Sequence, residues 1–208
     1  MLPPLERPAL LVIDMQAGFV APNGAYARAG RPVRDAASIV PVIAWLRQEF
    51  RAHAYPCFFT AYRYRDDGTD FPGRFHRVIP RAYVGRREPV FTLGSSESAI
   101  VSELAPAPDE ALILKNRYSA FFGTDLKATL ERAGVRTVVI TGVLSHVCVD
   151  ATARDAFALD YEVVVVRDAV AGVDDELHRA ILRNLEETVG AVVSGAEVVG
   201  ALGDRKNP

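Results

Sequence analysis

The chain reads ALLVIDMQ at residues 9–16, and this stretch decides the fold. Its first five residues are all apolar, which is typical of a strand that is covered on both faces of a parallel sheet. Apolar side chains then recur at helical spacing over residues 36–50, so a strand followed by a helix opens the chain. Two starts are open for that helix: Ser38 caps it and Pro41 occupies its first turn, or it begins near Val33 and kinks.

Four further segments have the composition of strands, and predicted helices separate most of them. One predicted helix ends at Gly134, another is capped by Asp174, and a third runs from Val147 to Leu159. This alternation predicts parallel strands joined by right-handed crossovers. We therefore predict one domain over residues 1–208 with a three-layer α/β/α fold, whose doubly wound, mainly parallel sheet has about six strands. The four further strands are predicted at residues 57–61, 111–115, 137–141 and 162–166.

The composition excludes several classes of function. The 24 basic and 26 acidic residues give a formal charge of -2, without the basic excess of a nucleic-acid binder. No apolar run has the length of a signal peptide or a membrane span, so a cytoplasmic protein that binds neither nucleic acid nor membranes is expected. Only two cysteines are present, and Cys57 lies in an apolar segment, where it is expected to be a small buried hydrophobe. We expect a small-molecule substrate and a homo-oligomer, either a dimer or a tetramer.

Three of the predicted strands lead into reactive side chains. Asp14 and Lys115 end their strands, and Cys148 follows the strand at residues 137–141 by a short connection. Because parallel strands all end at the same edge of a sheet, these side chains are expected to converge there. Lys115 and the N-terminal dipole of the following helix would favour a thiolate at Cys148, and Asp14 is placed to act as a base.

Three co-ordered motifs also resemble a known family. DMQ at residues 14–16 is followed by Phe19, KNRYSAFFGT occupies residues 115–124, and GVLSHVCV at residues 142–149 is followed by TARDA. In this order they are similar to the isochorismatase-like cysteine hydrolases, which include nicotinamidase, N-carbamoylsarcosine amidohydrolase and ureidoacrylate amidohydrolase. The match runs from about Ala9 to about Ala169 and therefore covers most of the chain.

The resemblance implies a catalytic triad of Asp14, Lys115 and Cys148. Cys148 would attack a carbonyl carbon, and Asp14 would pass the thiol proton to the leaving nitrogen and later activate water against a thioester. The backbone N–H groups of Leu144 and Cys148 would form the oxyanion hole, and a cis peptide bond would join Val143 to Leu144. The thiol favours cleavage of a C–N bond in a carboxamide, carbamoyl or ureido group. Hydrolysis of a vinyl ether, as in isochorismatases, is the alternative.

Six residues are candidates for binding the substrate. Gln16 either fixes the carboxylate of Asp14 or caps the first loop. For Arg117 the alternative to a binding role is an ion pair that orients the neighbouring loop, and His146 is interpreted as a packing or pocket-rim residue rather than a second base. For the aromatic candidates the alternative is ordinary packing. The set comprises Gln16, Phe19, Tyr62, Arg117, Phe121 and Val143; Tyr64 is a further candidate for the pocket lining, and the arginines beside it, Arg63 and Arg65, suggest a polar or anionic substrate group.

No metal or other cofactor is predicted. Nicotinamidases carry Asp-x-His just after the second strand, whereas residues 60–67 here read TAYRYRDD, and His76 is the only histidine in the long predicted loop at residues 63–96. A thiol redox or sensor protein is a rival interpretation, although no second cysteine lies near Cys148. A nucleotide-binding domain is disfavoured because residues 142–146 lack the glycine pattern G-x-G-x-x-G.

Overall fold

The computed structural model describes residues 2–72 and 90–203 and contains one six-stranded sheet. The strand order is β3-β2-β1-β4-β5-β6, and every neighbouring pair is parallel. The predicted doubly wound α/β fold is therefore confirmed, and a short sixth strand completes the five that the apolar pattern located. The strands are β1 Pro8–Ile13, β2 Cys57–Tyr62, β3 Ala111–Lys115, β4 Thr137–Val143, β5 Glu162–Ala171 and β6 Ala191–Val193.

Within residues 2–72 and 90–203, seven α-helices with defined bounds connect or flank these strands. Single 3₁₀ turns lie at Ser96–Ser98 and Ser102–Leu104, and one π-helical turn lies at Ser145–Val149. The α-helices are α1 Ala17–Val20, α2 Ala25–Arg28, α3 Ala36–Ala52, α4 Leu126–Arg132, α5 Asp150–Ala158, α6 Asp175–Thr188 and α7 Gly195–Ala201.

The helix boundaries follow local signals, with one difference at α3. The Asp174 carboxylate accepts the N–H of Leu177 and caps α6, and Gly134 follows α4 in the left-handed conformation at φ +67°. Helix α3 begins at Ala36, and Pro41 lies in its second turn. The Ser38 hydroxyl donates to the carbonyl of Asp35 and so does not cap α3, which excludes the start that placed Ser38 at the cap.

The central strand β1 is fully buried, and the order of its neighbours determines which strand ends lie beside its carboxyl end. Residues Ala9 to Ile13 of β1 have no exposed surface, and β1 lies between β2 and β4. After β1 the chain adds β2 and β3 on one side of it and then crosses to add β4 on its other side. The carboxyl ends of β1 and β4 therefore flank the point where the order of the strands reverses direction. Ligands of doubly wound sheets bind in the crevice at this point.

Gly142 allows β4 to approach β1 closely at that edge. It has φ +103°, and a Cβ atom there would lie 2.0 Å from the carbonyl oxygen of Ile13. Only glycine fits this position, because any side chain would overlap the backbone of β1. The close approach brings the segment after β4 next to Asp14.

Within the described residues, no helix is both long and apolar enough to cross a membrane.

Candidate active site

Asp14 and Lys115 form a buried ion pair at the carboxyl ends of β1 and β3. The two side chains have no exposed surface, and Nζ of Lys115 lies 2.7 Å from Oδ2 of Asp14. The directed hydrogen bonds of the ammonium go elsewhere, to the carbonyl oxygens of Arg117 and Tyr118 at 3.1 Å each. The contact with Asp14 is therefore an electrostatic one, and the Tyr62 ring covers the ammonium at 3.8 Å from its centroid.

Thr60 holds the Asp14 side chain in one orientation. Asp14 itself has φ +51°, a left-handed conformation that aspartate tolerates better than most residues. The Thr60 hydroxyl donates to Oδ1 of Asp14 at 2.6 Å and accepts the Asp14 backbone N–H at 3.2 Å. The carboxylate thus leaves the strand in a turned conformation that one neighbouring side chain fixes.

Cys148 lies in the π-helical turn that follows β4. The peptide bond between Val143 and Leu144 is cis, as the resemblance implied. The Leu144 carbonyl accepts the N–H of Val147 and also that of Val149, five residues ahead, which is the wide spacing of a π turn. An uninterrupted α-helix from Val147 was the expectation, and the wider turn replaces its beginning. The predicted oxyanion-hole roles of the Leu144 and Cys148 amides remain predictions.

Burial keeps the Cys148 thiol protonated at rest. Only 2% of the residue is exposed, and desolvation raises the pKa of Cys148 to about 12, helped by the negative charge of Asp14. Lys115 and the Tyr62 hydroxyl act in the opposite direction. The thiolate that we expected from Lys115 and the helix dipole is therefore not the resting form, because desolvation outweighs both effects. A neutral thiol needs a base before it can act as a nucleophile, and the Asp14 carboxylate is the candidate.

A pocket with aromatic walls opens onto Cys148. Seven aromatic side chains contribute to its described lining, among them Phe19, Tyr62 and Tyr64, and Leu144 and Val147 complete the wall beside the thiol. A small planar group fits such a cleft, since aromatic walls offer apolar area and stacking. Arginines 63 and 65 line a separate depression beside it and not this pocket, so the side chains that suggested an anionic substrate group lie elsewhere.

Comparisons with known proteins identify the family. The family model for the isochorismatase domain matches residues 8–197. The chain belongs to the isochorismatase family. It is 33% identical over 204 residues to the ureidoacrylate amidohydrolase RutB of Methylobacterium radiotolerans, which covers 93% of this chain and 79% of that protein.

Two solved structures extend the comparison to the fold. The cysteine hydrolase from Pseudomonas syringae pv. phaseolicola superposes with a TM-score of 0.84 at 28% identity, covering 96% of this chain and 97% of that one. The N-carbamoylsarcosine amidase from Thermoplasma acidophilum superposes with a TM-score of 0.73 at 26% identity, covering 91% and 97%. The chain is thus an isochorismatase-family hydrolase, and its amidohydrolase relatives support cleavage of C–N bonds.

Gln16 does not touch the Asp14 carboxylate in this isochorismatase-family site. Its amide nitrogen donates to the carbonyl oxygens of Tyr62 and Ser98 at 2.9 Å each, and its amide oxygen accepts the Tyr62 backbone N–H at 2.7 Å. The residue is fully buried, so it ties the end of β2 to the loop near Ser98 instead of facing a substrate. Of the two interpretations of Gln16, the structure favours the one that assigns it to the loop.

The other candidate residues divide between the pocket and its supports. Phe19 and Tyr62 line the pocket, as expected. Arg117 donates to the carbonyl oxygens of Asp70 and Asn116, so it links its own segment to the loop that contains Asp70, and Val143 is fully buried in β4. Phe121 is outside the described lining, and its ring stacks on Tyr161 with the centroids 6.0 Å apart. Four of the six candidates thus lie outside the described pocket lining: Gln16, Arg117, Phe121 and Val143.

The described residues do not fit the metal site of the nicotinamidases. The chain continues from β2 with Tyr62, Arg63 and Tyr64, which offer no carboxylate and imidazole pair, and no three His, Cys, Asp or Glu side chains gather anywhere in residues 2–72 and 90–203. His76, and most of the predicted loop at residues 63–96, lie outside the described residues. His146 packs against Gly172, and burial lowers the pKa of His146.

Thr60 is the site residue that sequence reasoning missed. A hydroxyl in the strand CFFTAY is a visible signal, because a polar side chain within a buried strand requires a hydrogen-bond partner. The partner is not visible in the sequence, since it depends on how β1 and β2 align. Val12 pairs with Phe59, and this register places Thr60 next to the end of β1.

Proposed function

We propose that this chain is a cysteine-dependent amidohydrolase that cleaves the C–N bond of a carboxamide, carbamoyl or ureido group through a thioester at Cys148. The observation that carries the proposal is the buried Asp14–Lys115 pair, with its 2.7 Å contact, beside a protonated thiol at the base of an aromatic pocket. The amidohydrolase relatives add support, since their names describe the same class of bond.

In the first half-reaction, Cys148 transfers its proton to Asp14 while its sulfur bonds to the carbonyl carbon of the substrate. The carbonyl oxygen becomes an oxyanion, for which the amides of Leu144 and Cys148 are the proposed donors. The oxyanion then collapses, the C–N bond breaks, and the proton on Asp14 passes to the leaving nitrogen. Ammonia or an amine departs, and the acyl or carbamoyl group remains on sulfur.

In the second half-reaction, Asp14 takes a proton from water as the water oxygen attacks the thioester carbon. The C–S bond breaks, the acid product leaves, and the proton returns to the sulfur of Cys148. The ammonium of Lys115 stabilises the carboxylate form of Asp14 and the negative charge that develops on sulfur and oxygen during the reaction. The resting site holds one positive and one negative side chain, so its net charge is zero before the substrate enters.

The experiment is an ammonia-release assay across a panel of simple carboxamides, N-carbamoyl compounds and ureido acids. Turnover of at least one class is expected, and Cys148→Ser should lower it by about 10³-fold or more, because a hydroxyl without a matched base is a poor nucleophile.

Cys57→Ser is the matched control, since Cys57 is the other buried free thiol and lies at the start of β2, opposite the edge that carries Asp14. This variant should keep its turnover. Equal turnover in the Cys148→Ser variant and the wild-type protein would contradict the mechanism, and ammonia release from none of the three classes would contradict the proposed bond specificity.

A further inference from the structure

Thr60 is a fully buried polar residue whose hydroxyl contacts one residue twice. Its oxygen lies 2.6 Å from Oδ1 of Asp14 and 3.2 Å from the backbone nitrogen of Asp14. The Asp14 N–H also has the Thr60 carbonyl oxygen at 3.2 Å, so the backbone group does not depend on the hydroxyl. The main interaction of the Thr60 side chain is therefore its hydrogen bond to the Asp14 carboxylate, and the backbone pairing of β1 with β2 does not depend on it.

The direction of the hydrogen on Thr60 follows from its two partners. A backbone N–H only donates, so the Thr60 oxygen accepts that bond, and the single hydroxyl hydrogen points to Oδ1 of Asp14. Oδ1 thus already accepts one hydrogen bond, from Thr60. This bond uses one of the two lone pairs of Oδ1 and lowers its affinity for a proton, which favours Oδ2 as the oxygen that receives a further proton while Thr60 keeps its position.

The other carboxylate oxygen is in a different state. Oδ2 is buried and accepts no directed hydrogen bond from the described residues, and its close contact is Nζ of Lys115 at 2.7 Å. Two of the three ammonium hydrogens of Lys115 are on carbonyl oxygens. Oδ2 therefore keeps a lone pair that can accept a proton, and it belongs to one of the two charged side chains that act on Cys148, Asp14 and Lys115.

We propose that Thr60 is a positioning residue that holds Oδ1 of Asp14 and so makes Oδ2 the oxygen that takes the proton from Cys148. This inference rests on the proposed function, because it assigns the geometry behind the proton transfer described above. Without the hydroxyl, the carboxylate is free to turn about its last bond, and the oxygen beside the thiol is no longer fixed.

Thr141 provides a matched control on the adjoining strand of the same sheet. It is equally buried, lies on β4, and its hydroxyl donates to the carbonyl of Leu11 at 3.3 Å rather than to the Asp14 carboxylate. Replacing either threonine by valine keeps the size and the β-branched shape but removes one buried hydroxyl. The two variants therefore share the structural cost, and only Thr60→Val removes the contact to Asp14.

The test compares the wild-type protein with Thr60→Val, Thr60→Ser and Thr141→Val in three measurements. The first is the rate of Cys148 alkylation by iodoacetamide, followed by peptide mass. The second is kcat and KM for whichever amide the wild-type protein hydrolyses, and the third is the urea midpoint of unfolding. Thr60→Val should slow alkylation and lower kcat by about tenfold to hundredfold with KM within about twofold, since misplacing a catalytic group by about 1 Å costs this much.

Thr60→Ser should restore both rates to within about threefold of the wild-type values, because it keeps the hydroxyl, and Thr141→Val should leave both unchanged. The positioning role is overturned if Thr60→Val and Thr141→Val alkylate and turn over alike, or if Thr60→Ser is as slow as Thr60→Val. If Thr60→Val does not fold, Thr60→Ala replaces it, since alanine also lacks the hydroxyl.

The outcomes separate this inference from the proposed function. If the wild-type protein hydrolyses no amide but Thr60→Val still slows Cys148 alkylation, then Thr60 positions the base and the proposed reaction is wrong. If turnover depends on Cys148 but is the same in Thr60→Val and Thr141→Val, the proposed function stands and the role of Thr60 is wrong.

Discussion

Removing Lys115 should destabilise the protein strongly, because it leaves the Asp14 carboxylate buried without its counter-charge. At 2.7 Å, and with an effective dielectric constant of about 20, the Coulomb attraction of the pair is about 6 kcal/mol. The two charges also lose their hydration on burial, so the measurable cost of removing one partner is about 3–5 kcal/mol. Lys115→Met nearly keeps the length of the side chain and removes the charge, together with the hydrogen bonds to the carbonyl oxygens of Arg117 and Tyr118.

A double-mutant cycle measures this effect. Urea unfolding of Lys115→Met, Asp14→Asn and the double variant gives three changes in the free energy of unfolding. Each single variant should lose stability, whereas the double variant should lose at least about 2 kcal/mol less than the sum, because it contains no lone buried charge. If the single effects add to within about 0.5 kcal/mol, the two side chains do not form the ion pair that organises this site.

Three further predictions follow from the same geometry. Gly142→Ala should cost about 3 kcal/mol or more in the free energy of unfolding, because the new methyl group overlaps the backbone of Ile13 and φ is positive; an unchanged urea midpoint would contradict the close approach of β4 to β1. Burial raises the pKa of both cysteines from 9.0 to about 12, so the unfolded chain loses those protons first, and the contribution of the two thiols to stability should be constant below pH 9 and be lost between pH 9 and 12. Cys148→Ser should make that fall shallower by about half, as should Cys57→Ser, and a slope that neither variant changes would show that the thiols are not the cause. Chelation with verified metal removal should leave turnover unchanged and nicotinamide should be a poor substrate; loss of activity that zinc or iron restores would contradict this.

The fold was predictable because its strands are short apolar runs that end at polar or turn-forming residues. The short, continuous apolar run at residues 9–13 is typical of a buried strand, and the alternation of predicted strands and helices indicated a parallel sheet. Since all parallel strands end at one edge, the convergence of Asp14 and Lys115 followed from the positions of those residues at strand ends. The sixth strand was expected only as a number, because three residues carry too little pattern to locate it.

The details that the sequence did not predict depend on register and on side-chain direction. Thr60 reaches Asp14 only because Val12 pairs with Phe59, a register that is set by packing of the whole sheet. Phe121 belongs to a recognisable motif, yet its ring stacks on Tyr161. A motif indicates that a chain belongs to a family, but it does not show the direction in which each side chain points. Burial of Cys148 is also a tertiary property, which is why the resting thiol differs from the thiolate that neighbouring charges suggested.

The central claim is that Cys148 carries the acyl or carbamoyl group during turnover. Its most direct test is mass spectrometry of the protein, quenched in acid during turnover of an amide that it hydrolyses. The account predicts that the added mass equals the acyl part of the substrate, lies on the peptide that contains Cys148, and is absent from the Cys148→Ser variant. Ammonia release with no such adduct, and with the Cys148→Ser variant as active as the wild-type protein, would contradict it.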